Sequence, residues 1–214
     1  LIRTFVFDLG GVIVRFSHER MFRQMAAVCG YEAGDLERQL VDNDLLDRFE
    51  RGKMREADFH REVENLVGQS VDRDRLLRAA SDIFEPDEKM GCLIAWLKEA
   101  GYRLVLLSNT CVSHFEHLRR HLPVLDRFDA RVLSYEVGAK KPEAAIFAAV
   151  LAAVGCPPEN CFYVDDIPAY VAAGRRFGLR CEVFRGADAF VRQLAELQVL
   201  LNLPDFAADW PFLA

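Results

Sequence analysis

Four short stretches carry side chains that could act together: Asp8, Ser108-Asn109-Thr110, Lys140-Lys141 and Asp165-Asp166. Singly, each has a plain structural use. Asp8 could sit in a turn. The Ser-Asn-Thr and Asp-Asp stretches could cap helices, and Pro142 after Lys141 could be the first residue of one. Gathered at one place they make a different object. Three carboxylates, a hydroxyl and a lysine would repel or stay unpaired unless they shared a ligand and a cation. That set suits phosphoryl transfer. A phosphate dianion needs positive charge and hydrogen-bond donors around its oxygens. Lys141, the Ser108 hydroxyl and the backbone N–H groups after Asp8, at Leu9 and Gly10, would supply them. Mg²⁺ takes oxygen ligands in octahedral array, few of them carboxylates, and keeps waters and substrate phosphate. Asp8, Asp165 and Asp166 are the natural donors. A carboxylate beside that ion can also attack phosphorus and divide hydrolysis into two steps.

The elements that would bring these stretches together are legible from pattern. Residues 4–7, 104–107, 130–133, 161–164 and 180–184 read as short buried strands. They alternate with helices that start near Val112, Pro142, Pro168 and Ala187, and with one whose face is Met90, Leu93, Ile94 and Leu97. Such alternation predicts an α/β fold with a parallel sheet. In an open parallel sheet, ligands bind beyond the carboxyl ends of the strands, which is where the candidate residues fall. Between Ser17 and Glu85 the chain is charged and helical in pattern. Met21, Met25 and Val28 recur at helical spacing, as do Phe59, Val63 and Val67, and no strand is expected there. The expected organisation is a core of residues 1–16 and 86–199, a helical cap over 17–85, and a tail over 200–214. The tail, with Pro204, Trp210 and Pro211, is expected to pack on the surface or on a second copy, which is compatible with a homo-oligomer.

Composition narrows the classes. The chain has 214 residues, 51% hydrophobic and 28% charged, which is ordinary globular usage and argues against disorder. It is long enough to bury a core without disulfide or metal staples. Its net charge of −6, without a long basic run, argues against nucleic acid as the main partner. The longest apolar run, 144–156, is too short to span a bilayer, so no membrane is expected. Asp8 interrupts the apolar stretch 4–14, which therefore does not read as a signal peptide. Six cysteines without C-x-x-C spacing read as reduced thiols of a cytoplasmic protein. Cys156 and Cys161 could form half of a zinc site, with no second pair near them in sequence.

FVFDLGGVIV around Asp8, VLLSNT around Ser108, GAKKPEAAIF around Lys141 and CFYVDDIPAYVAAG around Asp165-Asp166 together resemble the haloacid dehalogenase superfamily in order and spacing. The resemblance implies a Rossmann-like three-layer α/β/α core with a small inserted helical cap. It implies that Asp8 is the nucleophile that forms an aspartyl-phosphate and that Ser108 binds phosphate with Asn109 beside it. It makes Lys141 the bridge between nucleophile and phosphate, and Asp165 and Asp166 the pair that holds Mg²⁺. Asp166 would be the direct ligand, with Asp165 acting through water or Lys141. The D-L-G-G-V form, the histidine after Ser-Asn-Thr and the segment Phe49-Glu50-Arg51-Gly52 resemble the branch containing glucose-1-phosphate phosphatase. That implies a small sugar phosphate or related metabolite as substrate.

One position departs from the family. Its phosphatases mostly carry a second aspartate two residues after the nucleophile, which protonates the leaving group and activates water. Here that residue is Gly10, whose carbonyl can still ligate Mg²⁺ but whose acid–base chemistry is absent. General acid–base help is typically worth ~10²–10⁴-fold. Three readings stay open. The first is a phosphatase for a good leaving group, or with another residue as acid. The second is a 2-haloacid dehalogenase, whose halide needs no proton. The third is a non-catalytic phosphate-binding or interaction module. The intact acidic pair favours the first. His114, near the start of its helix, is the candidate substitute acid or substrate contact, with His18 behind it. His117 and His121 share its helix face but read as surface residues. In the cap, Glu50, Arg51 and Lys53 around Gly52 are candidates to read the organic part of the substrate.

Overall fold

The computed structural model describes residues 1–197, and the tail expected over 200–214 lies outside the described residues. Thr4–Phe7 forms β1, buried at every position, as a strand covered on both faces must be. Its neighbours are β4 (Arg103–Ser108) and β6 (Cys161–Asp165), with β5 (Ala130–Leu133) and β7 (Arg180–Val183) outside them. The order is β5-β4-β1-β6-β7, and every pairing is parallel. Phe7 lies level with Leu106 on one side and Val164 on the other. Hence Asp8, Ser108 and Asp165 all emerge at one sheet edge, where the chain leaves in opposite directions on either side of β1.

Alternate residues of the strands face two helical layers. Phe5, Phe7, Leu104, Leu106, Phe162 and Val164 share an apolar cluster with residues of α6 (Glu88–Glu99), α7 (Val112–His121) and α11 (Ala187–Glu196). Val6, Val105, Leu107 and Tyr163 share another with α9 (Ala144–Ala153) and α10 (Pro168–Arg176). This is the expected α/β/α arrangement. One short helix, α8 (Ser134–Val137), follows β5 directly and was not expected.

Between β1 and the rest of the sheet lie five helices: α1 (His18–Cys29), α2 (Ala33–Asp42), α3 (Leu45–Glu50), α4 (Glu56–Val67) and α5 (Arg73–Ser81). They bury their apolar faces against one another, around Met25, Leu36, Leu40, Phe59, Val63 and Leu76. Ser17 and Asp72 cap the first and last of them by accepting the N–H of Arg20 and Arg75.

Two sequence expectations need correction. A strand does occur where none was expected: β3 (Phe84–Pro86) pairs antiparallel with β2 (Val14–Phe16). This ribbon ties together the chain's entry to and exit from the helical insert. Three residues are too few to show a strand period, which is why the pattern missed it. The helix expected from Pro142 begins at Ala144 with Glu143 as its N-cap, and the Lys141–Pro142 peptide is cis. Among the described residues no helix is long and apolar enough to cross a membrane.

Candidate active site

The sheet edge holds a buried chain of charges. Asp8, Lys141 and Asp165 are 6%, 3% and 0% exposed. Lys141 Nζ lies 2.7 Å from Asp8 Oδ1 and 2.7 Å from Asp165 Oδ2. Burial pushes the Asp8 carboxyl up; Lys141 pulls it down without cancelling the shift, and Asp165 adds to it. Burial works against the Lys141 charge, but the two carboxylates outweigh it and hold its pKa above the ordinary lysine value. The lysine is thus a fixed cation between two carboxylates.

Its position is set by neighbours the sequence did not single out, and by one it placed elsewhere. Asn109, expected to bind phosphate, uses both polar atoms on the backbone of Lys141. Its Oδ1 accepts the lysine N–H at 2.8 Å and its Nδ2 donates to the lysine carbonyl at 3.1 Å. Asn109 therefore clamps the lysine's backbone. The Tyr163 hydroxyl donates to Asp165 Oδ2, and Asp165 Oδ1 accepts the Ile167 N–H at 2.9 Å. Tyr163 stands two residues before Asp165 on β6, so both point to one side of the sheet, a signal already present in the spacing. The Tyr170 ring lies 5.1 Å from Lys141 Nζ.

Asp166 completes the acidic group. Asp8, Asp165 and Asp166 can each offer one carboxylate oxygen with all three within 4.8 Å of one another. Burial, then the Asp165 charge, raises the Asp166 carboxyl. Gly11 makes this approach workable. It sits at φ +77°, and a Cβ there would lie 2.3 Å from Asp166 Oδ2. Hard oxygen donors, few in number, beside a space for phosphate fit Mg²⁺. Among the described residues no other trio of metal-ligating side chains converges. Cys156 and Cys161 meet each other at 3.5 Å without a third ligand, and the His117 and His121 rings lie 4.5 Å apart, centroid to centroid, without one.

These residues open on a cavity of about 250 Å³. Asp8, Leu9, Gly10, Ser108, Lys141 and Asp166 line its floor. The Ser108 hydroxyl has no partner among the described residues, so its hydrogen-bonding capacity is available to a bound group. The opposite wall is made by Phe16, His18, Glu50, Ile83, Phe84 and His114. His114 reaches the cavity as expected, but its Nε2 is 3.0 Å from the Ala80 carbonyl and its ring is also hydrogen-bonded to Cys111.

Of the insert's candidates, Glu50 lines the cavity, whereas Arg51 and Lys53 do not. Arg51 turns to Glu143 instead, with its two terminal nitrogens 3.0 and 2.6 Å from the two carboxylate oxygens, while its Nε holds Asp47 at 2.7 Å. Lys140 in turn pairs with Glu50, and with Asp47 at 3.2 Å. The Ser134 hydroxyl donates to the Glu50 carbonyl at 2.7 Å. Gly52, at φ +64°, lies so close that a Cβ would be 2.1 Å from the Tyr135 carbonyl. The insert is thus latched to the core beside the cavity. Arg51→Ala is expected to raise KM about threefold to fivefold with little change in kcat, read by steady-state kinetics, because it loosens a wall of the site and touches no reacting atom.

A protein-family model described as haloacid dehalogenase-like hydrolase matches residues 2–178. The chain belongs to that family. This hydrolase is 28% identical over 214 aligned residues to D-ribitol-5-phosphate phosphatase of Bacteroides thetaiotaomicron, covering 94% of this chain and 100% of the relative. A HAD family enzyme from the same organism, crystallised with magnesium and inorganic phosphate, superposes with a TM-score of 0.77 at 25% identity, over 85% of this chain and 93% of that one. A HAD-like family hydrolase from Porphyromonas gingivalis superposes with a TM-score of 0.79 at 29% identity, over 90% and 98%.

Proposed function

We propose that this hydrolase is a magnesium-dependent phosphomonoester hydrolase that works through an aspartyl-phosphate on Asp8, on a small sugar phosphate or related metabolite. The observation that carries the reading is the buried Asp8–Lys141–Asp165 chain, with Asp166 within shared ligating distance, opening on a cavity floored by the Ser108 hydroxyl. The sugar-phosphate part rests on similarity to a phosphatase of a polyol phosphate. The intact acidic pair, and the magnesium–phosphate complex of a relative, support phosphate over halide as the group removed. All six cysteines are unpaired thiols, which suits a reducing compartment and the cytoplasmic reading.

The chain's own residues divide the work. Asp8 Oδ1 accepts the Leu9 N–H at 2.7 Å and faces Lys141, which leaves Oδ2 free to bond to phosphorus as the phosphorus–oxygen bond to the organic group breaks and the alcohol leaves with a proton from water or a nearby side chain. Lys141 and Ser108 hold the phosphate oxygens as charge builds on them. Asp8, Asp166 and the Gly10 carbonyl would hold Mg²⁺, with Asp165 acting through water or Lys141. Once bound, the ion supplies Lewis-acid polarisation of the phosphate. Water then attacks the phosphorus of the aspartyl-phosphate and returns Asp8 to its carboxylate. The test is phosphate release from sugar phosphates, nucleotides and an aryl phosphate, with Mg²⁺ and with chelator. Turnover that chelator removes and Mg²⁺ restores is the expected result. Turnover indifferent to both would overturn the reading.

A further inference from the structure

Lys141 stands on a tight turn whose two ends are both gripped by the insert. The Glu143 N–H donates to the Lys140 carbonyl at 2.7 Å, which closes the turn around Lys141 and Pro142. At one end, the Lys140 ammonium donates to Asp47 Oδ1 at 3.2 Å and to Glu50. At the other, the Arg51 guanidinium donates to both Glu143 carboxylate oxygens. Asp47 Oδ2 accepts the Arg51 Nε–H at 2.7 Å and so joins the two grips. The contacts form a closed circuit, from Asp47 through Lys140, the turn, Glu143 and Arg51 back to Asp47. Asp47 and Arg51 can share this task because they lie one helical turn apart, on α3 and at its C-cap.

A lone surface ion pair contributes little, because two long side chains must be ordered for one contact. Here the ordering is shared. Asp47, Lys140 and Arg51 each serve two partners, the Arg51–Glu143 contact is bidentate, and the Lys140 and Arg51 side chains are only 21% and 20% exposed. From the core side, Asn109 holds the N–H and the carbonyl of Lys141. Both of those bonds fall on one residue, about which the turn could pivot. The grips at residues 140 and 143 remove that pivot. Precision matters here, since a misplacement of about 1 Å in a site can cost ~10²-fold in rate. Asp47 and Glu143 do not line the cavity.

Resting on the phosphatase reading, we propose that Asp47 and Glu143 are positioning residues: through Lys140 and Arg51 they hold the turn that aims Lys141 at the phosphate. The insert thereby braces the phosphate site from outside, besides walling the cavity. Either grip holds the turn while the other is broken, which is why Arg51→Ala alone is expected to spare kcat.

The test is steady-state kinetics with Mg²⁺ on an aryl phosphate, with inorganic phosphate as competing inhibitor, for Asp47→Ala, Glu143→Gln and the two combined. Inorganic phosphate has no organic part, so its inhibition constant reports the phosphate site and not the cavity wall. Each single change is expected to lower kcat by no more than about threefold, and the double change by about 30-fold or more, beyond the product of the two. The double variant should also bind inorganic phosphate about tenfold more weakly. Asp47→Glu in the Glu143→Gln background restores the charge and should return kcat to the level of Glu143→Gln alone. Thermal melts accompany each variant. Where the double variant melts below the assay temperature, Asp47→Asn with Glu143→Gln, which keeps both side-chain shapes, carries the same expectation. Losses that simply multiply, or a raised KM with phosphate inhibition unchanged to within about twofold, overturn the proposal and leave the insert as a wall only. A wild-type enzyme silent on the aryl phosphate, and on sugar phosphates and nucleotides, removes the phosphatase reading and this proposal with it.

Discussion

Replacing Asp8 by Asn is expected to lower phosphate release by at least about 10³-fold, because a carboxamide cannot form the acyl-phosphate bond. Stability is expected to hold or rise. Asp8 and Asp165 are both buried and share one lysine, so ionising both leaves an excess negative charge out of water. The Asp8→Asn change removes that excess, keeps an oxygen for the Leu9 N–H, and leaves Lys141 paired with Asp165. The sign with pH follows from the direction of the shift. The folded carboxyl titrates above its unfolded value, so the folded state binds more protons than the unfolded state between the two. Wild-type stability therefore falls as pH rises through that interval. In metal-free protein, the Tm advantage of Asp8→Asn is expected to widen from pH 4 upward, as read by calorimetry. Activity within tenfold of wild type would exclude Asp8 as the nucleophile.

The gathering of Asp8, Ser108, Lys141, Asp165 and Asp166 was legible because it depends on two things a sequence displays. Apolar runs of four to six residues mark the strands, and their alternation with helices makes the sheet parallel, so residues that follow each run share one edge. What stayed hidden depends on which distant segments approach one another. Nothing near Phe16 shows that its ring will stand against Gly10, because that contact requires the ribbon with Phe84–Pro86 to form first. Arg51 has the charge to read a substrate, and only the approach of the α9 N-cap shows that Glu143 claims it. Asn109 lines the cavity, as a phosphate ligand would, and only the fold shows that its side chain also holds the Lys141 backbone. Residue type announces chemical capacity; tertiary packing decides which partner uses it.

Lys141→Met is expected to cost about 3–5 kcal/mol of stability and to lower activity at least about 10³-fold. Methionine keeps the length of the stem and removes only the cation. The lysine side chain is 1% exposed, and the carboxylates on either side are 8% and 0% exposed, so water cannot replace the lost charge. Two buried anions would then face each other with the Tyr163 hydroxyl and two backbone N–H groups as their remaining donors. At least one would take up a proton, so the loss should shrink as pH is lowered through the carboxylate range, as read from urea unfolding curves. The activity loss alone would not separate chemistry from folding, since one lysine serves both. The double variant Asp8→Asn/Lys141→Met does separate them. It removes one anion with the cation, so it should regain at least about 1–2 kcal/mol over Lys141→Met while staying inactive. A double variant no more stable than Lys141→Met would mean that Asp8 is the carboxyl that takes up the proton once the lysine charge is gone.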